Sequence, residues 1–256
     1  MVRSFDVLGN IAIVNFSKDV KQKEKKKFAG NILKKQKAIK TILEKVGKVK
    51  GRLRKPVLKY LAGEKTKEVS YRENDCVFRF NVDDTYFSPR LSNERKEIAG
   101  KIKKGDEVLV MFAGVGPFSI VIAKKSKAKK VYSNEINRKA NKYAELNIEL
   151  NKLKERVVLI NGDIKKVSKK LSKFDVIVMP RPQLKETFLR EAFSLSKKGT
   201  RIFYYDFCKE NEINLIVEKI QKQAKLSRKK IKTLKIKKAG EIAPYKIRVR
   251  VDFQVV

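Results

Sequence analysis

The chain has 256 residues, of which 64 are Lys or Arg and 28 are Asp or Glu, and its formal net charge is +36 at pH 7. Two cysteines and no histidine exclude a disulfide framework, a structural zinc site with four Cys/His ligands, and every catalytic scheme built on imidazole. No stretch approaches the ~20 apolar residues of a membrane span, and the start lacks an apolar signal region. We expect a cytoplasmic protein with no membrane segment and no metal.

The positive charge is concentrated in two segments. Residues 17–65 hold 18 Lys or Arg against 4 acids, and residues 219–240 hold 10 and no acid. Clustered positive charge favours a polyanionic partner, because binding releases counterions from phosphates. A lysine-biased composition is the alternative, but such a bias raises Lys and Glu together, and here the acids do not keep pace. The basic side chains expected to contact a nucleic acid are Lys25, Lys26, Lys27, Arg52, Arg54, Arg228, Lys229 and Lys230.

The first third of the sequence predicts a small α+β domain over residues 1–84. Residues 5–16 alternate around Gly9 and predict a strand or a short hairpin. Residues 20–46 place apolar side chains at helical spacing among lysines, which predicts a basic amphipathic helix or helix pair with a possible break at Gly30. Two further strands are predicted near 67–73 and at 76–82.

Residues 85–256 alternate between short apolar runs and helical patterns. The runs, at 107–113, 130–134, 156–160, 174–179 and 200–207, predict strands. The helical patterns cover 117–126, 137–151, 164–171, 183–197 and 210–225. This alternation predicts a parallel sheet covered by helices on both faces. Residues 229–238 and 246–256 predict a terminal antiparallel hairpin.

Three features at the predicted strand ends indicate a nucleoside site. Gly114 and Gly116 form a turn between the first strand and its helix, where backbone can approach a ligand closely. Glu135 follows the second strand and can accept both hydroxyls of a ribose. Asp163 follows the third strand and can accept from the amino group of adenine. Capping of the following helices is the structural alternative for either acid. Ser119 stands where a dinucleotide dehydrogenase requires a third glycine.

Two segments, Tyr86–Arg95 (YFSPRLSNER) and Met111–Phe118 (MFAGVGPF), resemble the archaeal and eukaryotic tRNA (guanine-37-N1)-methyltransferase family. That family shares its fold with the wyosine-pathway aminocarboxypropyl transferases. The resemblance implies an α/β chain in which a seven-stranded class I methyltransferase domain, Rossmann-like, over residues 85–256 follows the small α+β RNA-contacting domain. It also implies S-adenosylmethionine as cofactor and tRNA as partner.

The resemblance also assigns roles by position. Arg90 matches the arginine near the target guanine, where it could stabilise negative charge on O6. The cofactor-binding residues that we expect are Phe112, Gly114, Gly116, Glu135, Asn137 and Asp163.

The fourth strand departs from the family, whose members usually end it with Asn-x-Pro. Here the segment reads Met179-Pro180-Arg181-Pro182-Gln183, with Pro180 in the place of the asparagine. The two prolines predict either a rigid exit from the strand or a base pocket with altered polar groups, supplied by Arg181 or Gln183. On the second interpretation, Pro180, Arg181 and Pro182 join Arg90 as catalytic candidates. A second departure is Val110, where an acid is usual.

The favoured function is therefore methylation of N1 of guanosine 37 in tRNA by a monomer. An aminocarboxypropyl transferase with the same cofactor is one alternative, because the fourth-strand motif is altered. A non-catalytic RNA-binding protein is the other, although the retained glycines and strand-end acids argue against a decayed pocket.

Overall fold

The computed structural model describes residues 2–47 and 57–256. The chain divides into two compact units, Met1–Pro89 and Arg90–Val256, whereas the sequence predicts a boundary after residue 84. No helix in the described ranges is long and apolar enough to span a membrane.

The first unit is built on a four-stranded sheet. Its elements are β1 (Val2–Leu8), β2 (Ile11–Phe16), α1 (Gln22–Lys35), β3 (Thr41–Lys45) and β4 (Leu58–Gly63), followed by β5 (Glu68–Glu73) and β6 (Cys76–Asn81). The sheet order is β1-β2-β3-β4, and β5 and β6 pair separately as a hairpin. Since β2 and β3 are parallel, α1 serves as their crossover. Its Ala29 is buried against Ala12, Val14 and Ile42 of the sheet.

The prediction of a helix over residues 20–46 is wrong beyond Lys35. Ile42 and Leu43 lie in β3, whose two neighbours, β2 and β4, bury it on both edges. A short apolar run cannot be assigned to helix or strand by periodicity alone. The hairpin around Gly9 is confirmed by the antiparallel pairing of β1 and β2.

The segment that carries Phe87 is anchored on the β5–β6 hairpin. The Phe87 ring stacks on Phe80 at 4.7 Å between centroids and meets Tyr71 edge-on at 5.0 Å. Phe78 is a third neighbour, at 5.7 Å. Phe87 of the YFSPRL segment is therefore a packing residue of the first unit.

The second unit is a seven-stranded sheet covered by helices. Its elements are α2 (Ser92–Gly100), β7 (Glu107–Met111), α3 (Pro117–Lys125), β8 (Lys130–Glu135), α4 (Arg138–Leu150), β9 (Val157–Asn161), α5 (Ile164–Val167), β10 (Phe174–Met179), α6 (Leu189–Ser194), β11 (Ser196–Lys209), α7 (Ile213–Leu226), β12 (Ile231–Ala243) and β13 (Lys246–Val255). The strand order is β12-β13-β11-β10-β7-β8-β9. Strand β13 runs antiparallel to the other six strands. This order confirms the predicted α/β class and the terminal hairpin.

Two predicted helices are shorter than expected. The pattern at 183–197 yields only α6, because Phe188 adopts a left-handed conformation (φ +57°) immediately before it and β11 already begins at Ser196. The pattern at 164–171 yields α5 and one 3₁₀ turn, Ser168–Lys170. The connection after β10 is thereby left as irregular chain near the carboxyl end of that strand.

A buried ion network fixes α2 to the terminal strands. The Arg250 side chain is fully buried and donates to Glu94 (2.5 Å), Glu97 (2.6 Å) and Asp252 (2.7 Å). Tyr205 also donates to Glu94, at 2.9 Å, and Lys237 pairs with both glutamates. A buried charge is tolerated only when it is paired and hydrogen-bonded in this way.

We predict that this network weakens in acid. The hydrogen bond from Arg250 lowers the pKa of Glu97 to about 2. Because the folded-state pKa lies below the unfolded one, the contribution of Glu97 is complete above the unfolded value of 4.5 and is lost as the pH falls toward 2. Thermal melting of wild type and Glu97→Gln, measured from pH 7 to pH 2, should show a gap at neutral pH that closes in acid. A gap that stays constant over this range would contradict the assignment.

Candidate functional site

The glycine turn after β7 is shaped by three left-handed residues. Phe112, Gly114 and Gly116 have φ values of +59°, +58° and +86°. A Cβ atom at position 116 would also lie only 3.2 Å from the side chain of Ile120, which is a tight contact. Pro117 then starts α3 at the position where proline is best tolerated. The turn therefore presents backbone at the carboxyl edge of the sheet, as predicted.

The carboxylate of Glu135 is held by backbone donors from two segments. Its Oε2 accepts from the Gly114 amide at 2.8 Å, and its Oε1 accepts from the amides of Ile136 and Asn137, each at 2.8 Å. The residue is half-buried at the end of β8. Glu135 thus joins the first and second strand ends and keeps a fixed orientation at the sheet edge.

Asp163 and Asn137 both cap helices. One carboxylate oxygen of Asp163 accepts from the Lys165 amide at 3.1 Å and starts α5. The side-chain oxygen of Asn137 accepts from the Lys139 amide at 3.0 Å and starts α4. The capping interpretation therefore holds for Asp163, while Glu135 has a different role. A cap at a strand end also places its side chain at the carboxyl edge of the sheet, so cofactor binding by Asp163 and Asn137 stays a prediction.

Sequence reasoning missed the buried asparagines that support this edge. Asn147 is fully buried on α4 and donates to the Val115 carbonyl at 3.0 Å, which ties the glycine turn to that helix. Asn141 donates to the Glu135 carbonyl at 3.0 Å. Asn134 donates to the carbonyls of Ile160, within β9, and of Gly162, just after it. The sequence signal that could have revealed Asn141 and Asn147 is their position among apolar residues on the buried face of α4.

The loop after β10 has a buried anchor in Arg181. Its guanidinium pairs with Asp206 of β11 and donates to the carbonyls of Leu184 and Glu186 within the loop. Asp206 accepts in addition from the Tyr204 hydroxyl at 2.8 Å. The expectation that Arg181 contacts a target base is corrected, since its charge is engaged inside the fold and holds the loop in place.

The two prolines flank this anchor and are half-buried, whereas Gln183 is exposed. The rigid exit predicted for Pro180 and Pro182 fits this arrangement, because each proline restricts the residue before it. Further along the loop, Phe188 meets Phe112 edge-on at 4.9 Å between ring centroids. The loop therefore packs directly against the glycine turn.

Arg90 lies at the same edge of the sheet. It is exposed in the 3₁₀ turn Pro89–Leu91 that leads into α2. Helix α2 runs antiparallel to β11, because its Glu94 contacts Tyr205 while the Lys101 carbonyl at its end accepts from Arg201. The start of α2, with Arg90, thus points toward the carboxyl ends of the strands. Glu94, one helical turn further along, is engaged by Arg250, Tyr205 and Lys237.

The structure separates the predicted basic residues. Lys25 is half-buried, pairs with Glu44 at 2.6 Å and covers the Phe16 ring, so it is held within the first unit. Lys26 and Lys27 are exposed on α1. Arg52 and Arg54 lie outside the described residues. Arg228, Lys229 and Lys230 lie just before β12. They are therefore at the amino ends of the parallel strands, opposite the carboxyl ends that carry Glu135.

No cluster of three or more His, Cys, Asp or Glu side chains suited to a metal occurs among residues 2–47 and 57–256. The groups that the structure brings to the carboxyl edge of the sheet are the glycine turn, the strand-end acids, Arg90 and the loop after β10.

Comparison with known proteins matches both units. A family model described as the TRM5/TYW2 methyltransferase domain matches residues 69–233, and one described as the TYW2 N-terminal domain matches residues 1–66. The tRNA (guanine(37)-N(1))-methyltransferase Trm5b of Pyrococcus abyssi is 36% identical over 253 residues, which span 98% of this chain and 74% of that protein. Its crystal structure aligns with a TM-score of 0.88 over 99% of this chain and 75% of that one.

Two further relatives extend the comparison. The tRNA (guanine(37)-N(1))/4-demethylwyosine(37)-methyltransferase Taw22 of Nanoarchaeum equitans is 34% identical over 304 aligned positions, covering 99% of this chain and all 100% of that protein. The crystal structure of Trm5 from Methanocaldococcus jannaschii in complex with adenosine aligns with a TM-score of 0.83 and 30% identity, over 99% of this chain and 74% of that one.

We predict that Arg181 contributes far more to stability than a surface cation. In Arg181→Met, the buried Asp206 loses its close cationic partner and keeps only Lys219, at 3.7 Å. The free energy of unfolding should therefore fall by about 3–5 kcal/mol. The matched control is Lys154→Met, which breaks the exposed pair with Glu149 and should leave the free energy of unfolding close to the wild-type value. Urea denaturation measures both, and similar small losses in the two variants would refute a structural role for Arg181.

Proposed function

Since the chain belongs to the TRM5/TYW2 methyltransferase family, we propose that it transfers the methyl group of S-adenosylmethionine to N1 of guanosine 37 in tRNA. The observation that carries the proposal is the carboxylate of Glu135, oriented by three backbone amides beside the glycine turn. A fixed acceptor at that place suits the two hydroxyls of a ribose.

The residues at the sheet edge fit the cofactor. The positive φ values of Gly114 and Gly116 bring backbone to the edge without side chains in the way. Glu135 would hold the ribose, and Asp163, one strand further along the sheet, would accept from the adenine amino group. Phe112 and Asn137 complete the set of expected contacts. When bound, S-adenosylmethionine supplies a methyl group that is already activated on a sulfonium, so the reaction requires no covalent enzyme intermediate.

The protein's own contribution is alignment and electrostatic stabilisation. N1 of guanine loses its proton as the methyl group arrives, and negative charge develops on O6. Arg90, at the start of α2 above the same edge, would donate to that oxygen as an oxyanion donor does. The loop anchored by Arg181 would form another wall of the base site, with Pro180 and Pro182 shaping it through their backbone.

The partner that this function requires is tRNA, and we assign part of its binding to the first unit. Lys26 and Lys27 are exposed there on one helix, within the basic segment of residues 17–65. We propose that the protein acts in the cytoplasm. We also propose that it acts as a monomer, since Gly114, Glu135 and Arg90 belong to a single unit of one chain.

The decisive assay identifies the product. Unmodified tRNA and S-adenosylmethionine are incubated with the protein, and the nucleosides are separated and identified by mass. The proposal expects one methyl group on guanosine, abolished when position 37 is changed to adenosine. Transfer of an aminocarboxypropyl group, the alternative raised by the altered fourth-strand motif and by the match of residues 1–66, would overturn it. Binding without any product would favour a non-catalytic RNA-binding protein.

A second candidate substrate is 4-demethylwyosine at the same position. It is favoured by the relative Taw22, which the chain matches along its full length. The same assay on tRNA that carries 4-demethylwyosine decides whether the chain accepts this base as well.

We predict that Glu135→Ala weakens binding of S-adenosylmethionine by about 1–3 kcal/mol, because the ribose hydroxyls lose a charged acceptor. Isothermal calorimetry measures the affinity. The control is Glu145→Ala, which removes an exposed acid from α4 and should leave cofactor affinity at the wild-type value. An unchanged affinity in Glu135→Ala would remove Glu135 from the cofactor site.

We predict that Arg90→Ala slows single-turnover transfer by about 100-fold or more, because the developing charge on O6 loses its donor. Cofactor affinity and melting temperature should stay close to wild type. Arg90→Lys should recover part of the rate, since an ammonium lacks the planar fork of a guanidinium. Near-normal transfer by Arg90→Ala at saturating RNA and cofactor would refute the role.

A further inference from the structure

Strands β11 and β13 extend far beyond the rest of the sheet. The last residue of β10, Met179, pairs with Tyr204, yet β11 continues to Lys209, which pairs with Lys246 of β13. Lys209 is five positions after Tyr204, so the strands project about 16 Å past the end of β10 at 3.3 Å per residue. The β12–β13 turn stands at the top of this projection, on the edge that carries the glycine turn and Glu135.

One face of the projection carries aromatic and basic side chains. Residues paired across antiparallel strands share a face, so Phe207 with Arg248 and Lys209 with Lys246 continue the face of Tyr205. The guanidinium carbon of Arg248 lies 5.2 Å from the centroid of the Phe207 ring. Because Tyr205 contacts α2 through Glu94, this is the face on which Arg90 lies.

The tip of the projection is Tyr245, an exposed residue whose backbone is in the left-handed conformation that tyrosine rarely adopts. Ala243 pairs with Lys246, so Pro244 and Tyr245 form a two-residue turn. Tyr245 has φ +59° and is 87% exposed. The second position of such a turn favours glycine or asparagine. Neither packing nor turn geometry explains a large aromatic ring there.

The charge around the tip is complementary to phosphate. The nearby acids are engaged, since Glu210 and Glu241 pair with Lys238 and Glu212 lies 3.8 Å from Lys209. Within the part of the chain that the structure describes, Lys246 and Arg248 make no ion pair with an acid.

We propose that Tyr245 stacks on an unpaired nucleobase beside the target nucleotide, with Lys246 and Arg248 against the neighbouring phosphates. An exposed ring among cations is the combination that binds single-stranded nucleic acid, because every base offers a face for stacking. This inference rests on the proposed function, which brings the target base to the same edge of the sheet.

The test removes the ring without straining the turn. Tyr245→Gly suits the positive φ, so its melting temperature should equal or exceed that of wild type, while Kd for an anticodon stem-loop RNA should rise about 10-fold. Tyr245→Phe keeps the stacking surface and should bind like wild type. Lys246→Gln should weaken binding, whereas Lys232→Gln, at the opposite end of the same hairpin, should not. An unchanged Kd in Tyr245→Gly would overturn the proposal.

Photocrosslinking identifies the contact directly. Stem-loop RNAs with 5-iodouridine on either side of the target guanosine should crosslink to the peptide that contains Tyr245, as mass spectrometry can establish. Methylation by wild type with no such crosslink and no change in Tyr245→Gly would refute this inference alone. Failure of wild type to modify tRNA would refute the proposed function instead. Sedimentation of wild type as a dimer and of Tyr245→Gly as a monomer would assign the tip to a second copy of the chain and overturn RNA stacking.

Discussion

The site depends on one carboxylate that joins two strand ends. Glu135 accepts from the amide of Gly114, after the first strand of the catalytic unit, and from two amides that follow its own strand. The glycine turn and the second strand end are thereby held at a fixed spacing before any ligand binds. A preformed arrangement of this kind lowers the cost of ordering a ligand. The buried Asn134 and Asn147 extend the same constraint to β9 and α4.

A second constraint acts on the opposite half of the sheet. Arg250 gathers Glu94, Glu97 and Asp252 in a buried cluster that fixes α2 against β11 and β13. Arg90 lies in the turn that leads into α2. Because the cluster fixes α2, it also fixes where that arginine lies relative to the strand ends. It also supports the strands that carry Tyr245 beyond the edge. On the proposed function, the base site would lie between the edge that carries Glu135 and the projecting strands, and buried polar contacts stabilise both.

The loop after β10 is held by a buried arginine. Pro180 stands where the resemblance to the family predicts an asparagine, and the neighbouring Arg181 turns inward to Asp206 and to two loop carbonyls. The loop is therefore fixed from inside the fold. Asp206 is distant in sequence, and nothing in the local pattern of residues 179–183 indicated that the arginine would be buried.

The sequence by itself determined the α/β class, the terminal hairpin and the set of strand-end residues, because a two-residue or 3.6-residue period and a glycine turn are local properties of the chain. Only the tertiary structure decided that Ile42 and Leu43 form a strand between β2 and β4, since burial on both edges overrides helical spacing. It alone decided that Asp163 caps a helix, that Lys25 pairs with Glu44, and that Arg228 and its neighbours lie at the far edge. A charged side chain pairs with whichever opposite charge lies close to it in space. For Arg181 and Arg250 the partners Asp206 and Glu94 are far away in sequence, and only the folded chain brings them together.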